Sequence, residues 1–174
     1  VQQSMEIPVW VVGGKIAPKK ILVAVDGREN ALRALDHAAF MLGPPNGADL
    51  TLLHMRPRLR DFCEIDISAD SDAIKEAGDV DENLLDRDAQ GCMDDFYPQV
   101  EARLTQFGFN PDKVAFETVE SFTSIGRGIV RAARDGGYDT IVLGRRGGEA
   151  KSFSGRVSHH VLNTLTEEAI WLVP

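Results

Sequence analysis

The sequence predicts an α/β fold built on a doubly wound parallel sheet with helices on both faces, and three observations carry that expectation. Short apolar, β-branched runs alternate with stretches whose apolar residues recur every three or four positions. The runs are apolar on nearly every residue, as strands covered on both faces must be. Between Tyr138 and Ser158, YDTIVLGRRGGEAKSFSGRVS reads as a buried strand, a glycine-rich loop and the start of a helix. Glycine lets backbone approach an anion, and the first N–H groups of a helix point at one, so this layout suits a phosphate site. A basic surface loop joining two core elements is the alternative reading of the same residues.

Lys20 to Asp26 is the first full strand, and Asp26-Gly27 forms the turn into a helix striped by Ala31, Leu32, Leu35, Ala38, Ala39 and Leu42. Gly43-Pro44-Pro45-Asn46-Gly47 stops that helix. Leu50 to Met55 is the second strand. Residues 58–80 show no period and many acids, which predicts a loop, partly disordered. Leu85, Ala89, Cys92, Phe96, Val100, Leu104 and Phe107 mark one long helix, expected to be interrupted at Gly91 and bent near Pro98. Val114 to Val119 alternates like an edge strand, and Ile125, Ile129, Val130 and Ala133 mark a third helix ending at Gly136-Gly137. The strand before the glycine loop, a fourth helix to about Glu167, and a last strand Ala169 to Val173 complete the alternation.

Ahead of this stands Ile7-Pro8-Val9-Trp10-Val11-Val12, strand-like and followed by Gly13-Gly14. Glu6, Val9, Trp10 and Val12 match Glu167, Ile170, Trp171 and Val173 at one constant offset. Residues 1–17 therefore read as the terminal strand and linker of a preceding domain, and residues 18–174 as one domain of their own. An ordinary N-terminal extension is the plainer alternative.

The length suits one domain with a real core. No apolar run is long enough to span a membrane and no secretory signal is visible. Cys63 and Cys92 lack metal-ligand or redox spacing and read as free thiols, so the expected compartment is the cytoplasm. The formal charge of −8 is unevenly spread. Residues 61–96 hold 13 acids and 2 bases, whereas the rest carries 14 acids and 17 bases. Such an acidic face argues against non-specific nucleic-acid binding.

KKILVAVDG, LTLLHM, YDTIVLGRRG, SGRVSHHVL and AIWLVP together resemble a universal stress protein domain from Pro18 to Pro174, here the second domain of a tandem protein. The resemblance implies five parallel strands in the order 3-2-1-4-5, with strands 1 and 4 flanking the switch point where such sheets bind ligands. It implies an adenine nucleotide, ATP or a relative, on the loop G-x2-G-x9-G-(S/T). Gly144, Arg145, Arg146 and Gly147 match its first half, whereas only seven residues separate Gly147 from Gly155, and Arg156 stands where Ser or Thr is expected; Val157 and Ser158 rejoin the pattern. By the same resemblance Asp26, with Gly27, lies on the ribose side, Arg28 stands where Ser is frequent, and the backbone of Met55 faces the adenine. The residues allow other roles: Asp26 caps turns well, and Met fills cores. Arg156 either replaces the hydroxyl as phosphate ligand, fills the site, or pairs with Asp26, while Arg145, Arg146 and Lys151 add positive charge.

Enzyme readings find little support. His159 and His160 are adjacent on a helix and point about 100° apart, poor geometry for sharing a metal. Ser154 and Ser158 lie outside any G-x-S-x-G elbow. Two expectations follow: a non-enzymatic stress-response regulator that binds an adenine nucleotide, or an interaction domain whose pocket is closed by Arg156 and the short loop. In either case the resemblance implies a homodimer or tandem pairing through the last strand, so residues 7–12 are expected antiparallel to residues 169–173, as an extra N-terminal edge strand.

Overall fold

The structure, a computed structural model, describes residues 7–14, 19–43, 47–56, 82–110, 114–120, 124–145 and 155–174, with side chains in the long helix from Met93 onward. Six strands and four helices alternate along it: β1 (Val9–Val12), β2 (Lys20–Val25), α1 (Glu29–Leu42), β3 (Asp49–Arg56), α2 (Glu82–Gln106), β4 (Val114–Glu120), α3 (Ile125–Gly136), β5 (Thr140–Gly144), α4 (Arg156–Thr164) and β6 (Ala169–Val173). The sheet order is β1-β6-β5-β2-β3-β4. Counted from β2, the five parallel strands run 3-2-1-4-5, and β1 adds an antiparallel edge.

The alternation of side chains sorts the core into two layers. Ile21, Val23 and Val25 of β2 pack with α1 and α2, whereas Leu22 packs with α3 and α4. Both layers are completed from β6, which presents Trp171 to the first and Ile170 and Leu172 to the second. The start of β2 is fixed by Asp139, whose Oδ2 accepts from Lys19 N–H at 2.9 Å and Lys20 N–H at 3.0 Å. Its other oxygen accepts the Thr140 hydroxyl at 2.8 Å. Lys20 Nζ donates to the Gly136 carbonyl at 2.6 Å and lies over the Tyr138 ring, tying α3 to the same corner.

β1 pairs with β6 within the chain, Val9 opposite Leu172 and Trp10 opposite Trp171. The pairing continues past the strand, with Gly13 N–H on the Glu168 carbonyl and Gly14 N–H on the Glu167 carbonyl, both at 3.1 Å.

Three boundaries depart from the sequence expectation. α2 is one unbroken helix through Gly91 and Pro98. Met93, Phe96, Val100 and Leu104 are all buried, so one continuous apolar face overrides two local helix breakers, and the Pro98 ring is exposed. α4 ends at Thr164, because Leu165 turns extended (φ −96°, ψ 115°) and buries its side chain. β2 ends at Val25, leaving Asp26 in the turn. The expected loop over residues 58–80 lies outside the described residues, as do Cys63 and the Cys92 side chain.

Candidate functional site

Parallel pairing of β2 with β5, Ala24 opposite Leu143, brings the ends of these strands together. Beyond them lie Asp26-Gly27-Arg28, which lead into α1, and Arg145, which follows β5. The winding of the sheet reverses here, which opens a crevice at the strands' carboxyl ends.

Asp26 is exposed, and its Oδ1 accepts the Arg28 N–H at 3.2 Å, so the carboxylate shapes its own turn. Gly27 has φ 76°, a left-handed conformation that disfavours other residues. Arg28 is the N-cap of α1 without a side-chain capping bond. On the facing side, a Cβ at Gly144 would stand 2.5 Å from the Asn30 carbonyl oxygen. The glycine that ends β5 is therefore where the first turn of α1 rests on the sheet. Arg145 is buried, and its N–H donates to the Val173 carbonyl at 2.6 Å. Both walls of the crevice are thus tied by backbone contacts.

The sequence expectation adds a third element, the N-terminus of α4. Gly155 is its N-cap, and a Cβ there would meet open space, so nothing local demands a glycine. His159 N–H donates to the Gly155 carbonyl, and the Ser158 hydroxyl donates to the same carbonyl at 3.1 Å. Ser158 is buried, Val157 half-buried and Arg156 exposed. Arg146, Gly147, Lys151 and Ser154 lie outside the described residues.

Met55 does not face the crevice with its side chain. It lies against α3, where a Cβ at Gly128 would stand 2.2 Å from its Cε. Its neighbour His54 is the residue that the sequence reading missed. The ring is buried, and Nδ1 lies 3.2 Å from the Val25 carbonyl, which only accepts, so Nδ1 carries the proton. Burial holds the His54 pKa below its ordinary value, against the opposing pull of that hydrogen bond and of the Asp26 charge. No periodicity marks this position. A histidine among the apolar residues Leu52, Leu53 and Met55, two residues before the end of β3, was the available signal. His159 and His160 have ordinary structural partners: His159 lies against Asn163, and His160 packs on Gly126. Among the described residues no group of three His, Cys, Asp or Glu could hold a metal ion, and no helix is long and apolar enough to cross a membrane.

A cleft of about 320 Å³ opens at the other end of the sheet, between Gly43, Asp49, Leu50, Gly108 and Val114. Among the described residues Asp49 is the one ionisable side chain on its wall. The crevice differs in chemistry: it holds the Asp26 carboxylate and the N-terminal N–H groups of α1, with Arg28 and Arg145 at the strand ends.

The model of the universal stress protein family matches residues 18–167. Solved structures agree. The hypothetical protein MJ0577, whose biochemical function was assigned from its structure, is 25% identical with a TM-score of 0.62, over 91% of this chain and 96% of that one. A universal stress protein in complex with cAMP is 14% identical with a TM-score of 0.56, over 91% of this chain and 98% of that one. A universal stress protein from Archaeoglobus fulgidus DSM 4304 is 19% identical with a TM-score of 0.57, and 97% of this chain covers only 50% of it. No curated protein matches the sequence.

Proposed function

This chain belongs to the universal stress protein family, and we propose that it is a non-enzymatic, cytoplasmic stress-response regulator that binds an adenine nucleotide, ATP or a relative, at the β2–β5 crevice. The observation that carries this reading is the meeting of the Asp26–Arg28 turn with Gly144 and Arg145 at the switch point. In the proposed pose, Asp26 accepts a ribose hydroxyl, and the phosphates lie toward Arg145 and the start of α4. There the helix N–H groups carry partial positive charge and Arg156 is within the same turn. The exposure of Arg156 supports an open site over one plugged by that side chain. The fold shared with a relative solved with cAMP supports the ligand class.

The test is thermal stability of the whole chain against ATP. A ligand at 100 times its dissociation constant adds about 2.7 kcal/mol, and Asp26→Ala should remove most of the shift. Absence of any shift with ATP, ADP or cAMP at millimolar concentration would favour a domain that only docks partners.

Residues 1–17 are, in this reading, the end of a preceding domain of the same kind. Of the residues that match between the two terminal strands, Trp10 and Trp171 also pair directly, and the register on either side of them, Val9 with Leu172 and Val11 with Ile170, is symmetric about that pair. Removal of residues 1–14 should bare the β6 edge and raise self-association; an unchanged elution volume and melting temperature would count against it.

A further inference from the structure

Trp10 and Trp171 stack across the β1–β6 ladder with ring centroids 4.2 Å apart and planes 6° from parallel. His37 of α1 meets both rings at steep angles, at 5.7 and 5.8 Å. The Trp10 indole N–H donates to His37 Nε2 at 3.0 Å. An indole N–H can only donate, so this bond requires an Nε2 without a proton. We propose that β1 is an acid-releasable cover over the β6 edge, latched by the Trp10–His37 hydrogen bond and opened when His37 takes a proton.

The surroundings make the latch sensitive to one group. β1 has four residues, of which Trp10, Val11 and Val12 are exposed, so beyond its backbone ladder to β6 it is fixed by the exposed Trp10–His37 hydrogen bond and one ring stack. From β1, Trp10 and Val12 face α1; from β6, Trp171 and Val173 do, and none of these titrates. On α1 itself, the Arg33 guanidinium binds the Asn30 side chain, and Asp36 turns to Arg103 of α2. Phe40 and Met41 on the following turn are apolar. Among the described residues no charged neighbour is therefore placed to hold an imidazolium. Burial pushes the His37 pKa below its ordinary value. Linkage fixes the sign: a docked state that resists the proton is weakened as pH falls from the unfolded value through the folded one. Opening uncovers a strand whose five residues are all buried in the docked state, so acidification would present β6 for pairing with another strand.

The chain has two tryptophans, so the exciton couplet of stacked indoles in circular dichroism reports this contact alone. The couplet should be present at about pH 7.5 and lost reversibly by about pH 5, with a midpoint below the ordinary histidine value. His37→Gln offers an acceptor oxygen that takes no proton, and it should keep the couplet throughout. A couplet unchanged in the wild type, or lost equally in His37→Gln, would overturn the latch. If the variant lacks the couplet at neutral pH, amide exchange in the wild type decides. Residues 9–12 should exchange at least about tenfold faster at the lower pH, after correction for intrinsic rates, while the β2 and β3 amides stay protected. Equal protection of β1 at both pH values would refute the proposal.

Discussion

Gly144→Ala separates a scaffold role from a ligand role at the centre of the crevice. A Cβ there would lie 2.5 Å from Asn30 O and 2.8 Å from Asn30 C, about 0.9 Å inside the 3.4 Å at which ordinary contact begins. The obstacle is backbone in the first turn of α1, and no flexible side chain can swing aside. Either α1 lifts from the sheet or β5 moves against β2 and β6, of which β6 is buried throughout and β2 at Ile21, Leu22, Val23 and Val25. Overpacking of this kind costs about 1–3 kcal/mol. For a chain of this size each kcal/mol lowers the melting temperature by about 2–4 °C, so a fall of about 2–12 °C is expected. Urea unfolding followed by far-ultraviolet circular dichroism measures it, and the slope with denaturant should not change. Because α1 begins two residues after Gly27, nucleotide affinity should fall together with stability. A variant within about 0.5 kcal/mol of wild type would refute the close-approach argument, leaving ligand contact as the reason for this glycine.

Other perturbations follow from the same contacts. Gly13→Ala would set a Cβ 2.1 Å from the Thr166 carbonyl oxygen; it should undock β1 and raise amide exchange at Val9–Val12, with the remaining sheet unaffected. Asp139→Ala removes an acceptor used by two backbone N–H groups and a hydroxyl, and should cost about 2–3 kcal/mol in chemical denaturation; a loss under about 0.5 kcal/mol would count against that corner as a tie. Burial lowers the pKa of both His37 and His54, so global stability should be full above about pH 6.5 and decline as pH falls through their folded values. Asp36, raised by burial against the pull of Arg103, acts in the opposite sense nearer the carboxylate range. A urea midpoint that rises between pH 7 and 6 would contradict the histidine assignment.

The sheet was legible because burial on both faces leaves a plain mark: ILVAV and IVL, at residues 21–25 and 141–143, are apolar at every position, as a strand between two helix layers needs. The β1–β6 pairing came from the family resemblance, with a repeat pointing to the strand, since Trp10 and Trp171 match in sequence and then lie opposite each other. Strand order came with the family resemblance, as apolar runs do not state their neighbours. α2 was misjudged at Gly91 because propensity is local, while Phe96, Val100 and Leu104 are held by packing from distant strands. At the crevice, the sequence offered Asp26 and the glycines but not their physical roles. That Gly144 makes room for Asn30, or that His54 donates to Val25, depends on contacts across strands. His37 gave no signal at all, since its partners are 27 and 134 positions away.

The most direct measurement of the central claim is amide chemical-shift mapping with ATP added to the isotope-labelled chain. The expected result is a set of perturbations at Gly27, Arg28, Gly144, Arg145 and Gly155 to Ser158, all at the carboxyl end of β2 and β5. Shifts confined to Gly43–Leu50 and Gly108–Val114, at the cleft on the opposite end of the sheet, or no shifts at millimolar ATP, would contradict it.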